Sequence, residues 1–104
     1  MHSLVLAALF LLQPLKPLIM PVDYPIEAIE NGWQGDVVAD VRVDEKGRVT
    51  GCTIVRSRGH RVLDSATCKA FRKRGKFEPK RDTAGRAVPF VYRTDPPTSW
   101  RLNH

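Results

Sequence analysis

Long apolar runs are missing from this chain. The longest, Leu4 to Leu12, has nine residues, whereas a helix needs about 20 to cross a bilayer core of ~30 Å. Pro14, Lys16 and Pro17 interrupt any extension toward Met20. Cysteine is scarce, with two in 104 residues. Two thiols without neighbouring histidines fall short of the four ligands of a structural zinc site. There is no glycine-rich phosphate loop, no paired-carboxylate site, no internal repeat and no low-complexity tract. Acids are few in one half only. Val22 to Glu45 holds seven acids and one base, Arg42, but from Lys46 onward there are fifteen bases and four acids. What remains is one small domain of net charge +6 and ordinary apolar content, 42%,. Its basic half suits either a solvated face or an anionic partner.

The richest stretch is Gly35 to Ser57. Val37, Ala39, Val41 and Val43 alternate with Val38, Asp40, Arg42 and Asp44. A period of two places the first set on one face of a half-buried strand. Asp44-Glu45-Lys46-Gly47 supplies a turn in which Gly47 takes φ > 0, and Arg48 to Ser57 returns as a second strand,. Gly51 breaks the alternation there. A bulge beside it would gather Val49, Cys52 and Ile54 onto one face. Such a hairpin is marginal alone and needs a cover.

Leu63 to Arg74 provides one. Leu63, Ala66, Thr67, Ala70 and Phe71 fall at i, i+3, i+4, i+7 and i+8, which makes one helical face apolar. Arg72, Lys73 and Arg74 suit the negative end of its dipole, and Gly75 ends it,. A shorter helix precedes the hairpin. Pro25 fits its first position and Gly32 its left-handed stop, with Ile26 and Ile29 on a common face,. Phe77-Glu78-Pro79 leads into a polar loop ending at Gly85. Val88 to Tyr92 reads as a third strand, and Pro89, which cannot donate to a ladder, makes it an edge strand,. Ser99 to Leu102 either resumes that strand or packs Trp100 on the domain. The fold class is α+β, a three-stranded antiparallel sheet covered by a helix, with a short N-terminal helix.

Few residues look chemical. Ser57, His60 and Asp64 can be drawn as a triad, but two of them share one short loop and no oxyanion-hole pattern accompanies them,. A catalytic cysteine needs a base, and His60, the candidate within the domain, lies among arginines. Lys69, Arg72, Lys73, Arg74 and Lys76 form a basic patch without the interleaved aromatics of a nucleic-acid platform,. The sequence reads as non-enzymatic, with no cofactor, no metal and no nucleic acid. Cys52 is placed on the second strand and Cys68 on the covering helix. A disulfide fits them better than unpaired core thiols, and closing its loop is worth roughly 3 kcal/mol in the chain-entropy view. An oxidising compartment and a disulfide support each other. Residues 1–21 suit a signal peptide or short membrane-targeting segment, although no base precedes the apolar run and no Ala-x-Ala site follows it,. The domain proper is 22–104.

In order and spacing, several short motifs resemble the TonB C-terminal domain. They are Tyr24-Pro25 with Ala28 and Gly32, Gly35-Asp36-Val37, Val43 through Val49, Ser57-Arg58-Gly59, Leu63-Asp64, Phe77-Glu78-Pro79 and Gly85 through Pro89. Many members have Ser-Ser-Gly where this chain has Ser57-Arg58-Gly59. The cysteine pair is similar to that of a subset with a strand-to-helix disulfide. The resemblance implies a periplasmic domain whose first strand is central. It also implies that the C-terminal edge strand pairs with an extended peptide, the TonB box, of an outer-membrane transporter. Carried over residue by residue, the binding edge is Val88, Phe90, Val91, Tyr92, Arg93 and Thr94. The alternative is a free-standing periplasmic scaffold that docks on an anionic envelope surface through its basic half. The exposed edge also offers a route to a homodimer. Full transducers carry a membrane helix and a long spacer before this domain. About 20 residues at ~3.5 Å each would leave no such spacer, so the expectation is a free periplasmic domain or a fragment of a longer gene.

Overall fold

A computed structural model describes residues 23–102. The elements are α1 (Ile26–Asn31), β1 (Gly35–Val43), β2 (Val49–Arg56), α2 (Arg61–Arg74), β3 (Lys80–Arg81), β4 (Ala87–Val88), β5 (Phe90–Arg93) and β6 (Thr98–Trp100). The main sheet is antiparallel in the order β2-β1-β5, and β6 also pairs with β1. β3 and β4 form a separate two-stranded hairpin. The α+β architecture expected from the sequence is present, with α2 covering the sheet.

β1 is central because its residues can serve both neighbours. Val37, Ala39, Val41 and Val43 are all buried on the helix side, while Asp36 and Arg42 on the other face are exposed. Val38 departs from the alternation and is also buried. β2 carries two irregularities against β1. Val38 faces Arg56 while Ala39 faces Ile54, and Arg42 faces Gly51 while Val43 faces Val49. The extra residues are thus Val55 and Thr50. The second bulge is the one expected beside Gly51, and Val49, Cys52 and Ile54 all pack toward the core.

The turn between β1 and β2 shows why Gly47 is there. Its φ is 81°, and its carbonyl accepts the Phe77 N–H at 3.0 Å. A Cβ at Gly47 would lie 1.9 Å from the Phe77 carbonyl oxygen. The Asp44 carboxylate closes the turn by accepting the N–H groups of Lys46 and Arg48, each at 2.9 Å. The same construction recurs in the β3–β4 hairpin. There Asp82 accepts the N–H groups of Ala84 and Arg86, again at 2.9 Å. Asp44 and Asp82 each pair with the arginine four residues on, Arg48 and Arg86. The segment expected to be a polar loop up to Gly85 therefore contains a strand and a turn.

The core has two centres. At one end Ala28, Val37, Leu63 and Trp100 are buried together, and at the other Val41, Val43, Phe71 and Phe77. Leu63, Thr67, Ala70 and Phe71 of α2 reach both, as their helical spacing implies,. Cys52 and Cys68 are bonded, with Cα atoms 5.6 Å apart, and the link joins β2 to α2. Asp23 Oδ2 accepts from Arg74 at 2.5 Å, which ties the segment before α1 to the C-terminal end of α2.

One expectation is corrected in α1. Pro25 caps the helix rather than starting it, its carbonyl accepting the Ile29 N–H at 3.0 Å. The face toward the core is that of Ala28, fully buried, while Ile26 and Ile29 are 72% and 48% exposed. A small residue lets this short helix approach Leu63 and Trp100 closely, and that rotation turns both isoleucines outward. Gly32, at φ 66°, is the left-handed stop that was expected,.

Candidate functional site

The third strand is split at Pro89. Val88 lies in β4 and pairs with Lys80, while Phe90 to Arg93 pair with Val43 to Asp40 of β1. The expected edge of Val88 to Thr94 is therefore two pieces, because a residue without an N–H interrupts a ladder. β6 then returns to β1 on the same side, with Thr98, Ser99 and Trp100 opposite Val37, Asp36 and Gly35. Of the two fates open to Ser99–Leu102, both are realised in part: the strand resumes at Thr98–Trp100, and Trp100 is wholly buried.

The direction of each peptide group on this edge follows from the ladder. The Thr94 N–H donates to the Ala39 carbonyl at 3.0 Å, and the Ala39 N–H donates to Thr94 Oγ1 at 3.0 Å. Ala39 thus turns its backbone toward β5. On the opposite side the Asp44 N–H donates to the Arg48 carbonyl at 2.9 Å. Because backbone groups alternate along an antiparallel strand, Val41 and Val43 also point toward β5. Tyr92 and Phe90 are their partners, so their peptide groups are used internally. Val91 and Arg93 turn the other way, toward an edge with no further strand among the described residues. By the same rule Thr98 and Trp100 bond inward and Ser99 faces out.

Side chains on the edge divide between two roles. Phe90 and Tyr92 pack their rings on Phe77, with centroids 6.1 and 5.2 Å away. Arg93 lies on the outer face and donates two hydrogen bonds, at 2.7 and 2.8 Å, to the two oxygens of Asp40. That pairing holds the Asp40 carboxyl below the usual carboxylate range, chiefly through the hydrogen bond from Arg93, and raises Arg93 in turn. Val91 remains 59% exposed, an apolar side chain on an open strand. Thr94 is buried, and its hydroxyl occupies the place where a backbone carbonyl would otherwise serve Ala39. The chain then leaves β1 through Asp95-Pro96-Pro97, two of which have no N–H, before rejoining it at Thr98. The open segment is short and bounded by prolines at both ends.

The other singled-out residues resolve differently. Ser57 and Asp64 do meet, Ser57 Oγ donating to Asp64 Oδ2 at 3.0 Å. His60 does not join them; its ring stacks on Trp33 at 4.9 Å. The pair ties the loop before α2 to its first turn. Lys69, Arg72, Lys73 and Lys76 are exposed. Arg74 is drawn out of the basic patch by Asp23. Among the described residues no group of three or more His, Cys, Asp or Glu is placed to hold a metal. Also among them, no helix is long and apolar enough to cross a membrane. Sequence reasoning allowed Ser99 to Leu102 to resume the strand but did not name Val37, Asp36 and Gly35 as the partners. The signal available was the apolar Trp100 after a proline pair, which does not by itself reveal a partner 65 residues away.

No curated protein and no solved structure matches the chain. The model of the Gram-negative bacterial TonB protein C-terminal matches residues 20–102. With an antiparallel sheet whose first strand is central, a strand-to-helix disulfide and an open C-terminal edge, the chain belongs to the TonB C-terminal family, whose domains are periplasmic, non-enzymatic transport-coupling modules that engage TonB-dependent outer-membrane receptors.

Proposed function

We propose that this domain captures an extended peptide of a TonB-dependent outer-membrane transporter by adding it as a strand to the open edge of β5. The observation that carries the reading is the outward direction of the Val91 and Arg93 peptide groups beside a 59% exposed Val91 side chain. Main-chain bonds of this kind supply affinity with little demand on sequence, and the flanking side chains supply selectivity. Pro89 and the Pro96-Pro97 pair limit the register a peptide can adopt, because none of the three has an N–H to donate. Phe90 and Tyr92 fix the strand from behind, and the Arg93–Asp40 pair fixes it from the front.

The test uses the full chain and a fluorescent synthetic peptide carrying a transporter TonB box. Anisotropy is followed at low and high salt. Binding through backbone groups should survive salt that screens exposed charges. Val91→Pro removes an outward donor at a position where an edge strand tolerates proline. With the variant shown folded by circular dichroism, affinity should fall about tenfold, the effect of losing one to two hydrogen bonds. Undiminished binding by that variant overturns the proposal. Sedimentation of the free protein separates peptide capture from pairing of this edge with a second copy.

A further inference from the structure

The positive charges of α2 are arranged differently from those of the sheet. Lys69, Arg72 and Lys73 stand at i, i+3 and i+4, and Lys76 follows at i+7 just past the helix end. The spacing of the first three places Lys69, Arg72 and Lys73 on one side of the helix, Lys76 continues the chain past its end, and all four are exposed. On the sheet, several bases are matched by acids. Arg93 pairs with Asp40, Arg101 with Asp36 and Arg48 with Asp44. Among the described residues no ion pair reaches Lys69, Arg72, Lys73 or Lys76. Among the described residues, α2 and the residue pair just past it thus present cations without an acidic partner.

A second observation gives this ridge a direction. Asp23 is held by Arg74 at the C-terminal end of α2. The chain therefore enters the domain beside Arg72, Lys73 and Lys76, and the twenty residues before it contain the apolar run Leu4 to Leu12. One apolar segment binds a bilayer weakly and reversibly, and an adjoining polybasic patch is the second signal that makes attachment stable. Each base near an anionic headgroup layer adds attraction that salt screens. Nucleic acid fits less well, since no exposed aromatic side chain is interleaved among the four bases,.

We propose that the Lys69–Arg72–Lys73–Lys76 ridge of α2 docks on a bilayer rich in anionic headgroups, next to the point where the N-terminal apolar segment joins the domain. The docked domain keeps the β5 edge free, because that edge belongs to the sheet and the ridge to the helix packed over it. This surface is independent of the peptide-binding reading.

The experiment is co-sedimentation of the full chain with vesicles of phosphatidylcholine, with and without phosphatidylglycerol. Retention by the anionic vesicles should be at least about tenfold stronger at low salt and should decline as salt is added. Lys69→Glu, Arg72→Glu, Lys73→Glu and Lys76→Glu together should abolish the difference between the two vesicle types. The milder pair Lys69→Gln and Lys73→Gln should remove part of it and guards against misfolding of the fourfold variant. Arg81→Glu with Arg86→Glu, on the β3–β4 hairpin, lowers net charge equally to two ridge reversals and should leave the difference in place. Equal binding to both vesicle types overturns the proposal, as does loss of the difference in the hairpin variant equal to that in Lys69→Glu with Lys73→Glu. Peptide binding by the ridge variants is expected to be unchanged.

Discussion

The indole N–H of Trp100 donates to Thr67 Oγ1 at 2.8 Å, and neither residue has solvent exposure. The same hydroxyl donates to the Leu63 carbonyl at 2.8 Å, one turn back along α2. A single buried oxygen thus joins the last strand to the covering helix. Thr67→Val keeps the shape but leaves the indole donor unpaired in the core. The cost should be about 1–3 kcal/mol, seen as a fall in melting temperature of roughly 4–8 °C for each kcal/mol in a domain of this size. Trp100→Phe combined with Thr67→Val should cost less than the two changes summed.

Reduction should weaken the fold without abolishing its topology. The Cys52–Cys68 bond closes a loop of sequence separation 16 between β2 and α2. Removing it is expected to cost about 3 kcal/mol through a less constrained unfolded chain. Urea titration of the Cys52→Ala, Cys68→Ala variant measures this. A midpoint unchanged from wild type would show that helix and strand are held by packing alone.

Gly47→Ala should be more damaging than its position in a turn implies. The residue is at φ 81°, and the added carbon meets the Phe77 carbonyl oxygen at 1.9 Å. Relief requires Phe77 to move, and Phe77 is buried against Val43, Phe71 and Phe90. A loss of at least about 1–3 kcal/mol is expected, the scale of a strained backbone site, read by denaturant unfolding.

Acid should loosen the edge strand before the core. Asp40 is held below the ordinary carboxylate range by its hydrogen bond from Arg93. A carboxyl lowered on folding contributes stability that is present above its unfolded value, about 3.9. That contribution is lost as pH falls through the lower folded value. The protection of the Phe90 and Tyr92 amides, exchange corrected for its intrinsic pH dependence, should therefore be steady from neutrality down to about pH 5 and fall below about pH 4. In Asp40→Asn, protection there should be lower at neutral pH and less dependent on acid.

What could be read from the sequence was what local chemistry controls. The alternation from Val37 to Val43, the Gly47 turn, the bulge beside Gly51 and the stripe from Leu63 to Phe71 each repeat within a few residues, so their periods are visible. β3 and β4 have two residues apiece, too few to show any period. Asp82 and Gly85 repeat the spacing of Asp44 and Gly47, and that was the legible clue to the second turn. The rotation of α1 depends on how near Leu63 and Trp100 allow the helix to come, which Ile26 and Ile29 cannot report. At the edge, Pro89 announced an outer strand, but only the Ala39–Thr94 bonds decide which peptide groups face away. The pairing of Arg74 with Asp23 joins residues 51 apart and left no mark in the charge pattern.

β1 lies early in the described chain, yet one entire side of it is bonded by residues from Phe90 to Trp100. During synthesis and export this strand can meet β2 at once, within a span of about two dozen residues. Its other side must wait for nearly the whole domain to emerge. Trp100 also fills the centre shared by Ala28, Val37 and Leu63, so a chain stopped before that residue has an unfilled interior as well as a half-paired strand. Non-local closure of this kind is slow, and an unpaired strand is sticky while it lasts. The C-terminal segment therefore sets the time at which the domain stops being vulnerable to aggregation and proteolysis, and a nonsense change a few codons upstream of Trp100 should be cleared by the cell as if most of the domain were missing.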